Sequence, residues 1–438
     1  MRIRRGLMAV VAGVVVATGS VMAFSPTGAA AVACSSVNWA EGVTYTAGQQ
    51  VTYQAHLYQA LVTHTAWAGT GWNPAATPTL WKDLGACSGG SSPSPSVSPS
   101  RSNSPSPSTS PSVSPSPSTS QPACAVRGRP AGKVLQGYWE NWDGASNGVH
   151  PGMGWIPIND SRITQHGYNV LMAAFPVIRS DGTVLWENGM DAGVKVPTAA
   201  EICAAKAQGA TILMSIGGAT AGIDLSSSAV ADRFVTTIVP ILKAYNFDGI
   251  DIDIETGLTG SGNINTLSTS QANLIRIIDG VLAAMPSNFG LTMAPETAYV
   301  TGGSVTYGSI WGSYLPIIKK YLDNGRLWWL NMQYYNGSMY GCSGDSYGAG
   351  TVQGFTVQTQ CLANGLTIQG TTIRIPYDKQ VPGLPAQSGA GGGYMSPSLV
   401  SQAYNSVPGI KGLMTWSINW DGSRNWTFGD NVKALQGR

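Results

Sequence analysis

The chain has 438 residues, of which 43% are hydrophobic, so it can build a sizeable core and has room for two or three domains. Only 11% are charged and the net charge is +2, which excludes the basic footprint of a nucleic-acid binder or of a protein drawn to anionic membranes. Trp 14 and Tyr 17 against Phe 7 is an excess of amphipathic aromatics, suited to stacking surfaces as well as to cores.

Residues 1 to about 33 read as a secretory leader. Arg2, Arg4 and Arg5 form its basic start, Leu7 to Val16 its apolar run, and Ala31-Val32-Ala33 a small-residue cleavage site. The apolar run is too short to span a membrane. Export to an extracellular location follows, and it permits disulfides among the six cysteines. The expected pairs are Cys34–Cys87 and Cys342–Cys361, leaving Cys124 and Cys203; connectivity is not fixed by sequence alone.

Residues 34–87 are bracketed by two cysteines. Short strands are expected at Gln50–Tyr53 and His56–Leu61, with Gly and Asn/Pro turns between them. The unit holds Trp39, Tyr45, Tyr53, Tyr58, Trp67, Trp72 and Trp81, too many aromatics for so small a core to hide. Trp81 and Tyr53 are expected inside, Trp67 and Trp72 outside. The segment resembles the chitin-binding modules of carbohydrate-binding families 5 and 12. The matching residues are Trp39, Tyr45-Thr46-Ala47-Gly48, Val51-Thr52-Tyr53, Tyr58, His64-Thr65, Gly71-Trp72-Asn73-Pro74 and Pro78-Thr79-Leu80-Trp81. The resemblance implies binding to insoluble chitin, with Trp72, His64, Thr65 and Pro74 on the binding side; exposure logic adds Trp67.

Residues 88–123 are nearly all Ser and Pro with some Thr. Such a stretch cannot bury apolar area and reads as an extended linker of roughly 100 Å. Residues 124–438 then read as one domain. Strands are expected at Val134–Tyr138, Val170–Phe175, Thr211–Ser215, Gly249–Ile254, Leu291–Ala294, Leu327–Gln333, Thr372–Pro376 and Gly412–Ser417. Helices are expected at Thr198–Gln208, Ala229–Tyr245, Ser270–Met285, Leu315–Asn324, Thr356–Asn364 and Pro397–Asn405. Eight strands alternating with helices predict an α/β fold, a (β/α)8 TIM barrel, with a doubly wound sheet as the alternative. A barrel places its active site at the C-terminal ends of the strands. Gathered there are Trp139, Glu140, Phe175, Gly217-Gly218, Glu255, Glu296, Gln333, Tyr335, Asn336 and Trp416.

The most informative stretch is Asp248-Gly249-Ile250-Asp251-Ile252-Asp253-Ile254-Glu255. On a strand, Asp251, Asp253 and Glu255 share one face and the isoleucines the other. Three adjacent carboxylates repel, and burial disfavours each charge, so their protons are coupled and one acid is held neutral. A neutral acid beside a charged one can perform general acid catalysis. The other reading, an acidic edge or a Mg²⁺/Ca²⁺ site, lacks the loop-borne oxygens such ions use. No metal and no cofactor is therefore expected. Spacing along one strand, roughly 6.5–7 Å between alternate residues, leaves retaining and inverting chemistry both open.

The domain resembles glycoside hydrolase family 18, the chitinases and their relatives. The family's DxxDxDxE pattern is complete as Asp248, Asp251, Asp253 and Glu255, and its SxGG pattern as Ser215-Ile216-Gly217-Gly218. Met332-Gln333-Tyr334-Tyr335-Asn336 matches the family's sixth strand, and Trp416 the tryptophan that floors the sugar site. The resemblance implies that Glu255 is the acid–base and that the substrate's acetamido oxygen is the nucleophile. Asp253 then partners the acetamido N–H, Asp251 shares a proton with Asp253, and Tyr335 aligns the acetamido group. Gln333, Asn336, Trp416, Tyr138, Trp139, Phe175 and Glu296 complete the substrate-binding set. Asp248 is out of phase and reads as structural, and Ser215 as a hydrogen-bond donor below the acids. Partners are chitin and chitooligosaccharides, no nucleic acid and no membrane, and a monomer is expected. About 35 residues separate Pro376 from Gly412, too few for the insert domain that walls the groove of many relatives. An open groove and endo-acting cleavage follow. The alternatives are an endo-β-N-acetylglucosaminidase acting on N-glycans and a non-catalytic chitin-binding lectin.

Overall fold

A computed structural model describes residues 36–40, 43–61, 64–66, 73–74, 81–87, 124–142, 154–219 and 222–438. The expected leader and linker lie outside the described residues. Contacts divide the chain into two compact units, Met1–Val113 and Ser114–Arg438.

In the first unit, Gln50–Tyr53, His56–Ala60 and Trp81–Ala86 form an antiparallel sheet. Thr44–Tyr45 pairs with His64–Thr65 beside it. Tyr45, Val51, Tyr58, Ala60, Ala66 and Trp81 make the core, with Trp39 and Tyr53 packed against it. Aromatics thus supply most of the burial that a unit this small can muster. Trp81 is inside as expected, while Tyr53 is only half-buried and meets Trp39 edge-on at 5.1 Å. Pro74 corrects an expectation: it is buried, so it packs within the unit instead of facing a ligand. Trp67 and Trp72, and the side chains of His64 and Thr65, lie outside the described residues. Cys87 is disulfide-bonded, and Cys34 also lies outside them.

The second unit is an eight-stranded parallel barrel. Its strands are β1 (Val134–Glu140), β2 (Val170–Ala174), β3 (Thr211–Gly217), β4 (Gly249–Asp253), β5 (Gly290–Met293), β6 (Leu327–Leu330), β7 (Gly383–Pro385) and β8 (Gly412–Trp416). They pair in sequence order, and β8 returns to β1. The ring closes between β6 and β7 through parallel bridges Leu330↔Gln380 and Gln333↔Gly383. Helices α1 (Ser161–Gln165), α2 (Ala199–Ala207), α3 (Ser228–Ala244), α4 (Thr269–Ala284), α5 (Leu315–Asp323), α6 (Val352–Asn364) and α7 (Pro397–Ser406) follow successive strands. After β8 come α8 (Ile418–Gly422) and α9 (Thr427–Leu435). Capping boxes start α2 (Thr198 with Glu201) and α4 (Ser268 with Gln271), the side chains taking up backbone N–H groups that have no partner in the helix.

The expected seventh strand is corrected. Thr371–Ile373 pairs antiparallel with Leu366–Ile368 in a hairpin, and the barrel strand is Gly383–Pro385. Helices α1, α8 and α9 were not expected. The stretch between β7 and β8 is shorter than the sequence reading allowed, which reinforces the absence of an insert domain there.

Strand alternation sorts the barrel's two cores. Ile250, Ile252 and Ile254 join the helix-facing core with Leu135, Trp139, Leu171, Ile212, Met214, Leu291 and Met293. Tyr138, Met172, Leu213, Trp329, Tyr335 and Met414 form the second cluster, on the barrel's inner side. The disulfide Cys124–Cys203 ties the domain's first residues to α2. Cys342–Cys361 ties the loop after β6 to α6. Among the described residues no helix is long and apolar enough to cross a membrane.

Candidate active site

The acidic row stands on β4 and the two residues beyond it. Asp251, the deepest of the three, accepts four hydrogen bonds. Tyr138 and Ser215 hydroxyls each reach Oδ2 at 2.7 Å, the Thr292 hydroxyl reaches Oδ1 at 2.6 Å, and Asn331 Nδ2 reaches Oδ1 at 3.1 Å. A carboxylate offers about four lone-pair directions, so these donors saturate it. Burial pushes the Asp251 carboxyl up, and the four bonds oppose that by favouring the charge. Asp253, next along the row, bonds upward to Glu255. Burial first, then the charges of Glu255 and Asp251, push Asp253 well above the usual carboxylate range. Glu255 is itself pushed up by burial, and bonds from Gln333 and Asp253 offset part of that. Asp251 thus has four donors, while Asp253 faces Glu255 through a side-chain bond.

Gln333 clamps this pair. Its Nε2 donates to Asp253 Oδ1 at 3.0 Å, to Glu255 Oε1 at 2.9 Å and to the Ala294 carbonyl at 3.1 Å. The backbone beneath is fixed by two tyrosines. Tyr314 accepts from Ile254 N at 3.0 Å and donates to Ile254 O at 2.9 Å, while Tyr299 donates to Glu255 O at 2.5 Å. Tyr299 is pushed up to about 12 by burial and by the charges of Glu296 and Glu255. Tyr335 is buried beside the row; burial and then Asp253, Glu255 and Glu296 hold its hydroxyl protonated, as a donor must be.

The Ser-x-Gly-Gly stretch has a steric basis. At Gly217 (φ +111°) an added Cβ would lie 2.1 Å from the Asp253 carbonyl oxygen, and at Gly218 2.8 Å from the Phe175 ring. Gly218 N also donates to Asp253 O at 2.7 Å. Only glycine lets β3 approach the acidic strand this closely.

Aromatic rings wall the row. Trp416 lies 5.5 Å from Tyr138 and 6.1 Å from Phe175, the last pair nearly parallel at 15°. Trp142 joins them at 6.1 Å from Trp416 and 6.5 Å from Phe175. Trp142 lies past the end of β1, where strand phase gives no signal. Thr292 and Asn331 also escaped the sequence reading, although Thr292 stands four residues before Glu296 and Asn331 two before Gln333, in phase with them. Trp139 is corrected: it points away from the barrel interior, donates its ring N–H to Ile156 O at 2.9 Å and packs on Trp155. It is one residue out of phase with Tyr138. Asn336 is exposed at φ +63°, and its Oδ1 accepts from Gly392 N at 2.8 Å, so it ties the loop after β6 to the glycine-rich loop after β7. Glu296 is half-buried at the end of β5 and pushed up by burial and Glu255.

Asp248 is structural, as its phase predicts. It is fully buried, paired with Lys206 Nζ at 2.7 Å, and accepts from Arg127 N and Ile212 N at 2.7 and 2.8 Å. It locks the start of β4 to β3, to α2 and to the domain's first residues.

A model described as carbohydrate-binding module family 5/12 matches residues 38–82, and one described as glycosyl hydrolases family 18 matches residues 134–337. The chain is 81% identical over 314 residues to Endochitinase 37 of Trichoderma harzianum, covering 72% of this chain and 93% of that protein. It is 80% identical over 312 residues to Endochitinase 4 of Metarhizium robertsii, covering 71% and 90%. Among solved structures, a family GH18 chitinase from Chromobacterium violaceum matches with a TM-score of 0.61 at 29% identity, covering 92% of this chain and 99% of that one.

Proposed function

Because the chain belongs to glycosyl hydrolases family 18, we propose that Glu255 is the acid–base of an endo-acting chitinase whose nucleophile is the substrate's own acetamido oxygen. Endochitinases at 81% and 80% identity, matched over most of their own lengths, support the chitinase activity and its endo mode. The observation that carries the mechanism is the Gln333 clamp on Asp253 and Glu255 above an Asp251 that accepts four hydrogen bonds.

Chitin lies across the strand ends with one N-acetylglucosamine over Trp416. Its acetamido N–H donates to Asp253, which favours the ionised form of that acid and sends the shared proton to Glu255. Glu255 protonates the glycosidic oxygen as the C1–O bond breaks. The acetamido carbonyl oxygen bonds to C1, forming an oxazolinium ion, and Asp253 stabilises its positive charge. The Tyr335 hydroxyl donates to the acetamido group and holds it in line. Water then attacks C1 from the face the leaving group left, Glu255 takes its proton, and the β configuration is retained. Asp251 has no free lone pair with which to take part; it supplies a fixed negative charge beneath Asp253.

The first unit anchors the enzyme to insoluble chitin through its family 5/12 module. The disulfides of the second unit and the polymeric substrate support an extracellular location. The mechanism is tested by NMR of the first product released from a chitin oligomer, where the β anomer is expected. An initial α anomer would refute attack by the acetamido oxygen.

A further inference from the structure

Glu296 is a carboxylate near the acid with no side-chain partner among the described residues. In the β4–β5 register Asp251 stands opposite Thr292 and Ile252 opposite Met293, and Ala294 N continues the pairing with a bond to Ile252 O at 2.9 Å. Beyond it Tyr314 takes both backbone groups of Ile254, and Glu296 lies past the strand ends, near enough to Glu255 to feel its charge. The side chain makes no capping bond to the short helix Thr297–Tyr299 that follows it, and among the described residues it has no hydrogen-bond or ion-pair partner. Its backbone, in contrast, is engaged: Glu296 bridges Gln333, the residue whose amide clamps Asp253 and Glu255.

We propose that Glu296 is a positioning residue whose negative charge keeps the last proton on the Asp253–Glu255 pair, so that the acid stays loaded toward the alkaline side of its working range. The proposal rests on the reading of Glu255 as the acid. The other titratable groups facing the pair are Asp251 from β4, Tyr138 from β1, Tyr299 and Tyr314 between β5 and α5, and Tyr335 after β6. Among the described residues no Lys, Arg or His bonds to Asp253, Glu255 or Glu296, so no cation cancels the effect. Glu296 adds to the upward push on Asp253, in agreement with this role.

The sign follows directly. The alkaline limb of kcat/KM marks loss of the pair's last proton, and a neighbouring anion makes that loss harder. Removing the anion moves the limb to lower pH, by roughly one unit for a half-buried neighbour. The test is the pH profile of Glu296→Gln and Glu296→Asp on a soluble chitin oligomer. Glutamine is nearly isosteric, and the carboxylate has no bond to lose, so the variant folds. Glu296→Gln should move the alkaline limb acidward by roughly one unit, and Glu296→Asp should leave the limb in place. A limb unmoved in Glu296→Gln, with KM raised equally at every pH, would make Glu296 a simple sugar contact and overturn the proposal. So would loss of turnover at every pH by more than about a thousandfold, the mark of a direct chemical role. Turnover surviving in Glu255→Gln would instead remove the reading beneath it, so the two failures are distinguishable.

Discussion

At the scale of single residues, three carboxylates that look equivalent in the sequence have unequal environments. Asp251 is held by four donors, Asp253 is buried and bonded to Glu255, and Glu255 is partly open. The support of Asp251 is testable through Thr292, whose hydroxyl gives one of the two bonds to Oδ1. Thr292→Val keeps the shape and deletes the donor, so the fold should lose about 2 kcal/mol, the worth of a hydrogen bond to a buried charge. Denaturant unfolding beside Thr292→Ser measures it; equal midpoints would mean that the bond contributes nothing. Alternation along β4 made the faces of Asp251, Asp253 and Glu255 legible in the sequence. The same rule, applied to β5 and β6, points to Thr292 and Asn331 from Glu296 and Gln333. Trp139 fails that rule; nearness to a strand end outweighed its phase. Trp142 could not be found this way, because it follows the strand and is placed by the fold of a loop.

At the scale of elements, the sequence is most legible where propensity and burial agree. Val170–Ala174 is an apolar run and Gly249–Asp253 alternates isoleucine with aspartate, and both are barrel strands as expected. Thr371–Ile373 has strand composition too, but its neighbours let it fold back on Leu366–Ile368. The real β7, Gly383-Leu384-Pro385, is three residues with a glycine and a proline, and its strand character comes from pairing with Met414–Trp416. Tertiary pairing defines that element, so no local signal announces it. Helices α2, α3 and α4 begin at Thr198, Ser227 and Ser268, whose side chains accept backbone N–H groups, and those starts were legible to within a residue or two. Gly217 and Gly218 were legible as a motif, but their reason is not: a Cβ at Gly217 would lie 2.1 Å from the Asp253 carbonyl oxygen and one at Gly218 would strike the ring of Phe175.

At the scale of the whole molecule, one unit carries the hydrolytic site and the other a module for holding polymer. The anchoring role is tested by Trp72→Ala in the full chain, where retention on chitin beads should fall severalfold; retention equal to the parent would remove Trp72 from the binding surface. The division also explains why so few charges are needed. The substrate is neutral, so aromatic faces and a small buried set of acids do the recognition and the chemistry. That chemistry converges on one proton and one residue. The most direct measurement is therefore the turnover of Glu255→Gln on a chitin oligomer, with oligomer binding followed on the same preparation. The account predicts a loss in kcat of about a hundredfold to ten-thousandfold or more, with binding retained. Turnover near that of the parent, with binding intact, would contradict it.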